Sequence, residues 1–193
     1  MKKNILILIC FLCFSYLTAQ TKATNNRDSL SFELCQLYGL DQGVRENGIW
    51  STLSKQTKLH IDSVCFEKLI VFIEKHGFPN EELLGEQNYS QECVENAAFA
   101  ILLHSPHRLV EPEIYELLKK ELEKGNVSSG FLEIVLDKYY VVYKKKSLFN
   151  SAFKSWIPSK GVCIQDREES DRVRIDIGLE VLPDSVFVHC SEQ

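Results

Sequence analysis

Three groups of polar residues in this chain have the types and spacing for chemistry. The first is Asp41-Gln42-x-x-Arg45. On a helix, residues four apart share a face, so Asp41 and Arg45 can pair and leave the outer guanidinium edge to hold a carboxylate or phosphate. A solvated ion pair has the same spacing and is worth well under ~1 kcal/mol, so spacing alone does not separate a clamp from a surface pair. The second is His104, which closes an apolar helical stretch just before Ser105-Pro106-His107. Imidazole is the usual proton shuttle near neutral pH, and a helix C-terminus favours its cation; the plainer alternative is a cap on the last carbonyls. The third is Asp137, which follows the apolar run FLEIVL and precedes Lys138. An acid so placed is partly buried and needs a partner or a raised pKa. Arg45 and His104 are the available partners, and an exposed acid beside Lys138 is the alternative. In a catalytic arrangement His104 is the general acid/base, Asp137 orients it, and Asp41, Gln42 and Arg45 bind an anionic group.

Other chemistries find little support. A metal site would recruit His104, His107 and Glu111 or Glu113, but Pro106 breaks the helical spacing between the two histidines, so no metal and no cofactor is expected. The sequence has no G-x-S-x-G, H-E-x-x-H, phosphate-loop or G-x-G-x-x-G motif. The stretch YKKKSLFNSAFKSW interleaves Lys144, Lys145 and Lys146 with aromatics, in the manner of a nucleic-acid or anionic-lipid patch. The chain has 193 residues and a net charge of −5, which leaves no surplus of cations to neutralise phosphates. A solvated loop with aromatic anchors is expected instead, and no nucleic-acid partner.

The first residues read as an export signal. Lys2 and Lys3 precede the apolar run ILILICFLCFSYL, and Thr18-Ala19 supplies small residues before Gln20. That run is shorter than the ~20 apolar residues a membrane-spanning helix needs. Residues 1–19 are therefore expected to be removed, 20–28 to form a loose leader, and 29–193 to form one domain, with no transmembrane segment left after cleavage. Removing 19 of the 193 residues leaves 174; two lysines and no acids go with them, taking the charge from −5 to −7. Five cysteines remain: Cys35, Cys65, Cys93, Cys163 and Cys190. The number is odd, so at least one thiol stays free or pairs between molecules. Cys65 and Cys93, among apolar helical neighbours, are expected to be buried free thiols.

The elements that would position the polar groups are mostly helices. Leu30, Leu34, Leu37 and Tyr38 fall at helical spacing. Asp62 can cap a helix carrying Phe66, Leu69, Ile70 and Ile73, which Gly77 stops. A polar segment, 80–89, follows. Ser90 can cap a helix through His104, which Pro106 ends. Pro112 opens a helix that Gly125 closes. Ser128 or Ser129 caps the next, whose end, YYVVY, has the composition to leave as a short strand. Val173, Ile175, Ile177 and Leu179 alternate as in a strand, but Asp166, Glu168 and Glu169 load a first helical turn that Gly178 can close, so a short helix to Ile177 is favoured, with 186–189 as a last strand. The pattern predicts a mainly α domain, an irregular bundle of five to six helices with a short strand or hairpin near the C-terminus.

The order of short motifs resembles a bacterial domain-of-unknown-function family often found in exported proteins. The residues that carry the likeness are Asp41, Gln42 and Arg45; Asp62; KHGFP from Lys75 to Pro79; Gly85; the helix-end His104; GNVS from Gly125 to Ser128; Asp137-Lys138; and, at the close, Ile164, Asp166, Arg172, Arg174 and Ile177 to Leu179. The likeness spans roughly residues 33–187. It implies that Asp41, Gln42, Arg45, His104 and Asp137 are the family's polar positions and converge on one site. It carries no established reaction. The chain departs from the pattern at two places: Phe149 to Phe153 stands where a Tyr-Gly-Thr-Gln-like stretch is expected, and Lys138 where an Arg follows the helix acid.

The sequence thus points to an exported, periplasmic or secreted, α-helical domain. It serves as a cell-envelope binding or structural module, or as an enzyme with an acid/base pocket of Arg45, His104 and Asp137; its partner is an anionic small molecule or an envelope component. N-terminal sequencing of the secreted protein should find a chain that begins at Gln20, within a residue or two. A chain that still begins at Met1 would overturn the cleavage.

Overall fold

The structure is a computed structural model that describes residues 26–45 and 48–190. The signal segment 1–19 and the first residues of the expected leader lie outside the described residues. The described residues of that leader, 26–28, are helical rather than loose and belong to α1, whose described part covers 26–43. Arg27 donates to the Glu82 carbonyl, and Asp28 accepts from Asn88 at 2.9 Å. These contacts hold the start of α1 against the following elements. The apolar face of α1 is Leu30, Leu34 and Leu37, all buried.

Helix α2 is a single turn, Ile49–Thr52. Helix α3 spans Lys55–His76, capped by Ser54, whose hydroxyl accepts from the Thr57 N–H. It starts earlier than the sequence pattern predicts. Its first two turns are polar and largely exposed, so they carry no apolar period, and Asp62 sits inside the helix rather than capping it. Below them Cys65, Phe66, Leu69, Ile70, Phe72 and Ile73 are buried. Gly77 ends α3 at a φ of 93°, a conformation an L side chain rarely adopts.

The polar segment 80–89 folds into two further single turns, α4 (Glu81–Leu84) and α5 (Glu86–Tyr89). Asn80 caps α4 by accepting from the Leu83 N–H at 2.8 Å. The helix expected from Ser90 to His104 is broken at Asn96 into α6 (Glu92–Glu95) and α7 (Ala97–His104). Pro106 then opens a 3₁₀ segment to Val110. Helices α8 (Pro112–Glu123) and α9 (Ser129–Tyr139) lie close to where the pattern puts them. YYVVY does not leave as a strand: Tyr140–Lys144 continues α9 as a π-helical turn, with Val141 buried. Helix α10 is Arg167–Asp176. Its end is a Schellman motif: Leu179 N–H bonds the Arg174 carbonyl at 2.9 Å and Gly178 N–H that of Ile175 at 3.0 Å. The strands β1 (Val162–Cys163) and β2 (Phe187–Val188) pair in parallel, so they do not form a hairpin.

The molecule is therefore mainly α. Its core lies where α3 packs on α7 and α7 on α9, filled by Phe66, Leu69, Phe72, Ile101, Leu102, Leu132 and Val135. Phe149 also enters the core, whereas Trp156, expected as an anchor, is exposed. No described helix is long and apolar enough to cross a membrane.

The cysteines differ from expectation in one respect. Cys65 is free and buried, but Cys93 is bonded to Cys35, tying α6 to α1 across 58 residues. Cys163 is bonded to Cys190, which clamps the parallel pair. Neither pairing is visible in the spacings, because each depends on which elements meet in space. Closing a loop of that length removes about 4 kcal/mol of chain entropy from the unfolded state. The double variant Cys35→Ser, Cys93→Ser should lose about 3 kcal/mol or more in urea unfolding; unchanged stability would show that the bridge holds nothing together.

Candidate functional site

The end of α1, the turn after it and the end of α7 converge on one buried carboxylate. Asp41, near the C-terminal end of α1, is fully buried. An ionised acid in that position must recover its lost hydration from local donors. Gln42 supplies one, at 2.7 Å to Oδ2. Arg45 supplies another, its guanidinium 3.1 Å from Oδ1 and also bonded to the Asp41 carbonyl. His104 supplies the third through Nδ1, 3.0 Å from Oδ1 and 2.8 Å from Oδ2. Since a carboxylate only accepts, Nδ1 carries the proton and, in the neutral ring, the basic lone pair lies on Nε2. Among the described residues no group bonds Nε2, and the imidazole is about a quarter exposed at 24%. Pro106 fixes this placement: the helix cannot continue past it, so His104 is held in the last turn of α7, facing the end of α1.

Arg45 reaches further. Its other terminal nitrogen bonds Asp62 of α3, and its guanidinium lies 4.2 Å from the ring centroid of Trp50 in α2. Both Arg45 and Asp62 are mostly buried. The Arg45 cation is therefore shared between two carboxylates, and its outer edge is taken by Asp62 rather than left open for a ligand. Cys65, one turn along α3 from Asp62, is buried; burial first, and then the Asp41 charge, push its thiol up to about 11. It is a packed neutral side chain, not a nucleophile.

Lys138 of α9 carries a further charge, on which the charges of Arg45, Asp62 and Asp41 act. It is half-buried and meets no carboxylate at ion-pair distance among the described residues; its closest ring contact is Phe153, 5.7 Å from the ammonium. Burial, and then the Arg45 cation, favour loss of its proton, while Asp62 and Asp41 oppose this.

Asp137 lies elsewhere, and this corrects the sequence-based arrangement. Neither Arg45 nor His104 is its partner. Fully buried, it accepts from the Ser147 hydroxyl at 2.9 Å, Leu148 N–H at 3.0 Å, Phe149 N–H at 3.2 Å, Ser151 N–H at 3.1 Å and the Ser151 hydroxyl at 2.6 Å. Its role is to fold the 147–151 loop onto α9. Arg174 and Ser170 of α10 grip the same loop through the Phe149 and Leu148 carbonyls. Residues that depart from the resembled pattern thus form the loop around Asp137.

The structure brings together Asp41, Gln42, Arg45 and His104 and leaves out Asp137. It adds Asp62 and Trp50. Asp62 was legible only as a helix cap, because its link to Arg45 crosses a connection with no period. Lys138 was legible only as a neighbour of Asp137. Asp41, Asp62 and His104 offer donor atoms all within 4.8 Å of one another, the set a cation would use. The Arg45 guanidinium already lies between the two carboxylates, so a metal would have to displace it.

Away from this cluster, a cleft of about 790 Å³ is lined by Val110, Tyr115, Leu136, Tyr140, Phe149 and Val173, among others. Asp41, Arg45 and His104 do not line it. At its rim Asp176 accepts from the Tyr115 hydroxyl at 2.5 Å and from Lys119 at 2.7 Å.

In comparisons with protein-family models, curated proteins and solved structures, nothing matches the chain.

The two buried aspartates should separate cleanly by substitution. Asp137→Asn should cost about 3 kcal/mol in urea unfolding, because several buried donors lose their anion, and should leave the His104 imidazole resonances where they are. Asp41→Asn should move those resonances. If Asp137→Asn moved them as far, the separation of the two sites would be overturned.

Proposed function

We propose that this is an exported protein whose Asp41–His104 pair performs acid–base chemistry on a small anionic molecule. One observation carries the proposal: a fully buried carboxylate holds His104 by Nδ1 and no described group bonds Nε2. This is the arrangement in which an orienting acid fixes the tautomer and stabilises the imidazolium while the other nitrogen takes up and returns a proton. The reading keeps His104 as general acid/base and moves the orienting role from Asp137 to Asp41.

Export is supported by the N-terminal sequence and by the two disulfides, which persist in oxidising compartments and are rare in the cytosol. Membership of the exported domain-of-unknown-function family is proposed on the motif order alone. A non-catalytic envelope-binding module is the second reading. It is favoured by Arg45, whose charge is already met by Asp41 and Asp62, as in a purely structural ion network.

An activated ester such as p-nitrophenyl acetate tests the first reading without knowledge of the natural substrate. The wild type should hydrolyse it faster than free imidazole does, and His104→Gln should lose about 10²-fold or more of that rate. Equal rates in wild type and His104→Gln would remove His104 from catalysis and leave the binding module.

A further inference from the structure

The cleft of about 790 Å³ plays no part in the acid–base reading, since Asp41 and His104 lie outside it. Its walls are α8 and α10, and its floor is Leu136 of α9 together with Phe149, both buried. The walls are tied at one point: Asp176 of α10 accepts from Tyr115 at 2.5 Å and from Lys119 at 2.7 Å, both of α8. Tyr140, from the π-helical turn, also lines the cleft, with its ring centroid 6.1 Å from that of Phe149. Ile175 lines it too and is 62% exposed, a large apolar side chain turned to water beside an apolar floor. A cleft of this size, mainly apolar with a few polar groups, is the usual form of a site for an organic ligand.

The polar groups of the lining decide what that ligand carries. Among the described residues the charged ones are Glu116, Arg172 and Asp176. Asp176 is committed to Tyr115 and Lys119. It stands four residues on from Arg172 in the same helix, where an ion pair would otherwise form, so α8 takes away an acid that Arg172 could have used. Among the described residues neither Arg172 nor Glu116 makes an ion pair, and both are exposed. The Tyr140 hydroxyl has no hydrogen-bond partner among them either, although a half-buried tyrosine usually finds one. Burial first, and then the Glu169 charge, push its pKa up, so it stays a donor.

Lys119 offsets Asp176 and Arg172 offsets Glu116. The cleft is therefore balanced as a whole and carries one unmet charge of each sign, the cation on α10 and the anion on α8. A simple anion would leave Glu116 unmet and would face two acids. A simple cation would leave Arg172 unmet. A ligand with a carboxylate at one end, an ammonium at the other and apolar groups between meets both, and its amide groups can accept from Tyr140. A short peptide with free ends has this form. A single amino acid has the same two charges but fills only a small part of the cleft.

We infer that this cleft binds short apolar peptides, with the C-terminal carboxylate on Arg172 and the N-terminal ammonium on Glu116. The inference stands apart from the His104 site and does not depend on it.

Trileucine is the probe, followed by titration calorimetry of the mature chain at low ionic strength. N-acetyl-trileucine lacks the ammonium, trileucine amide lacks the carboxylate, triglycine lacks the apolar body, and decanoate is an apolar anion that is not a peptide. Wild type should bind trileucine at millimolar concentrations and each of the other four about five-fold more weakly or less. Arg172→Met should weaken trileucine and N-acetyl-trileucine about five-fold and leave trileucine amide unchanged. Glu116→Gln should weaken trileucine and its amide by a similar factor and leave N-acetyl-trileucine unchanged. His104→Gln should bind all of them as wild type does. Each variant is silent towards the peptide that lacks its partner group, a pattern that general damage to the fold does not produce. No binding of trileucine up to about ten millimolar, or binding by both variants equal to wild type, would overturn the inference. Uniform weakening of all three peptides in either variant would overturn the assignment of the two ends. Decanoate bound more tightly than trileucine would overturn the peptide as occupant.

Discussion

A carboxylate withdrawn from water must regain its hydration from the protein around it, or it costs several kcal/mol. Among the described residues three are withdrawn: Asp41, Glu121 and Asp137 are all at most 1% exposed. Each meets the cost by collecting donors from segments distant in sequence, and each thereby fixes a junction of the fold. Glu121 of α8 accepts from Phe78 N–H, Asn126 and Lys124, at 2.8, 2.7 and 2.6 Å. It fastens the turn after α3 to the end of α8. Asp137 fastens the 147–151 loop to α9. Asp41 fastens α1 to α3, through Arg45 and Asp62, and to α7 through His104.

The difference between the three lies in the donors. Around Asp137 and within the buried part of the Glu121 site they are backbone and side-chain amides and hydroxyls, which do not titrate near neutral pH. Their geometry is fully used once the loop is folded, so nothing is left over for chemistry. Asp41 has an imidazole among its donors, and an imidazole has a second nitrogen. The same interaction that satisfies a buried charge therefore leaves a basic atom beside a half-exposed surface. The site is a structural junction in which one partner has a free end.

This also explains what the sequence could and could not reveal. The helices α8, α9 and α10 were legible because their starts and stops are local: Pro112, the Ser128 cap, and Gly178 closing a Schellman motif. Asp41, Gln42, Arg45 and His104 were legible as polar residues at helical spacing or at a helix end. The partner of His104 was not, since Asp41 and Asp137 are both acids in helical context and only the crossing of α1 with α7 selects between them. Asp137 was misleading for a related reason. Burial was correctly inferred from FLEIVL, but its partners are mainly backbone N–H groups of 148–151, and backbone donors leave no mark in residue types. The KHGFP and GNVS stretches carry part of the likeness, and Glu121 joins them to each other. Their glycines serve the turn geometry rather than a ligand.

The departures from the resembled pattern acquire a physical meaning on the same grounds. Where the stretch after α9 reads Phe149 to Phe153, Phe149 fills the core and Ser151 holds Asp137, so the loop is committed to packing. The one polar group this region leaves uncommitted is Lys138, on the helix turn just before it. A guanidinium there, planar and with five donors, would bind a carboxylate through two parallel bonds; an ammonium is a strongly hydrated point charge that is more easily deprotonated. Burial comes first in loosening the hold of Lys138 on its proton, and the neighbouring charges follow, Arg45 in the same sense and Asp62 and Asp41 against it. The buried carboxylate that joins α1 to α7 therefore also bears on the charge of α9.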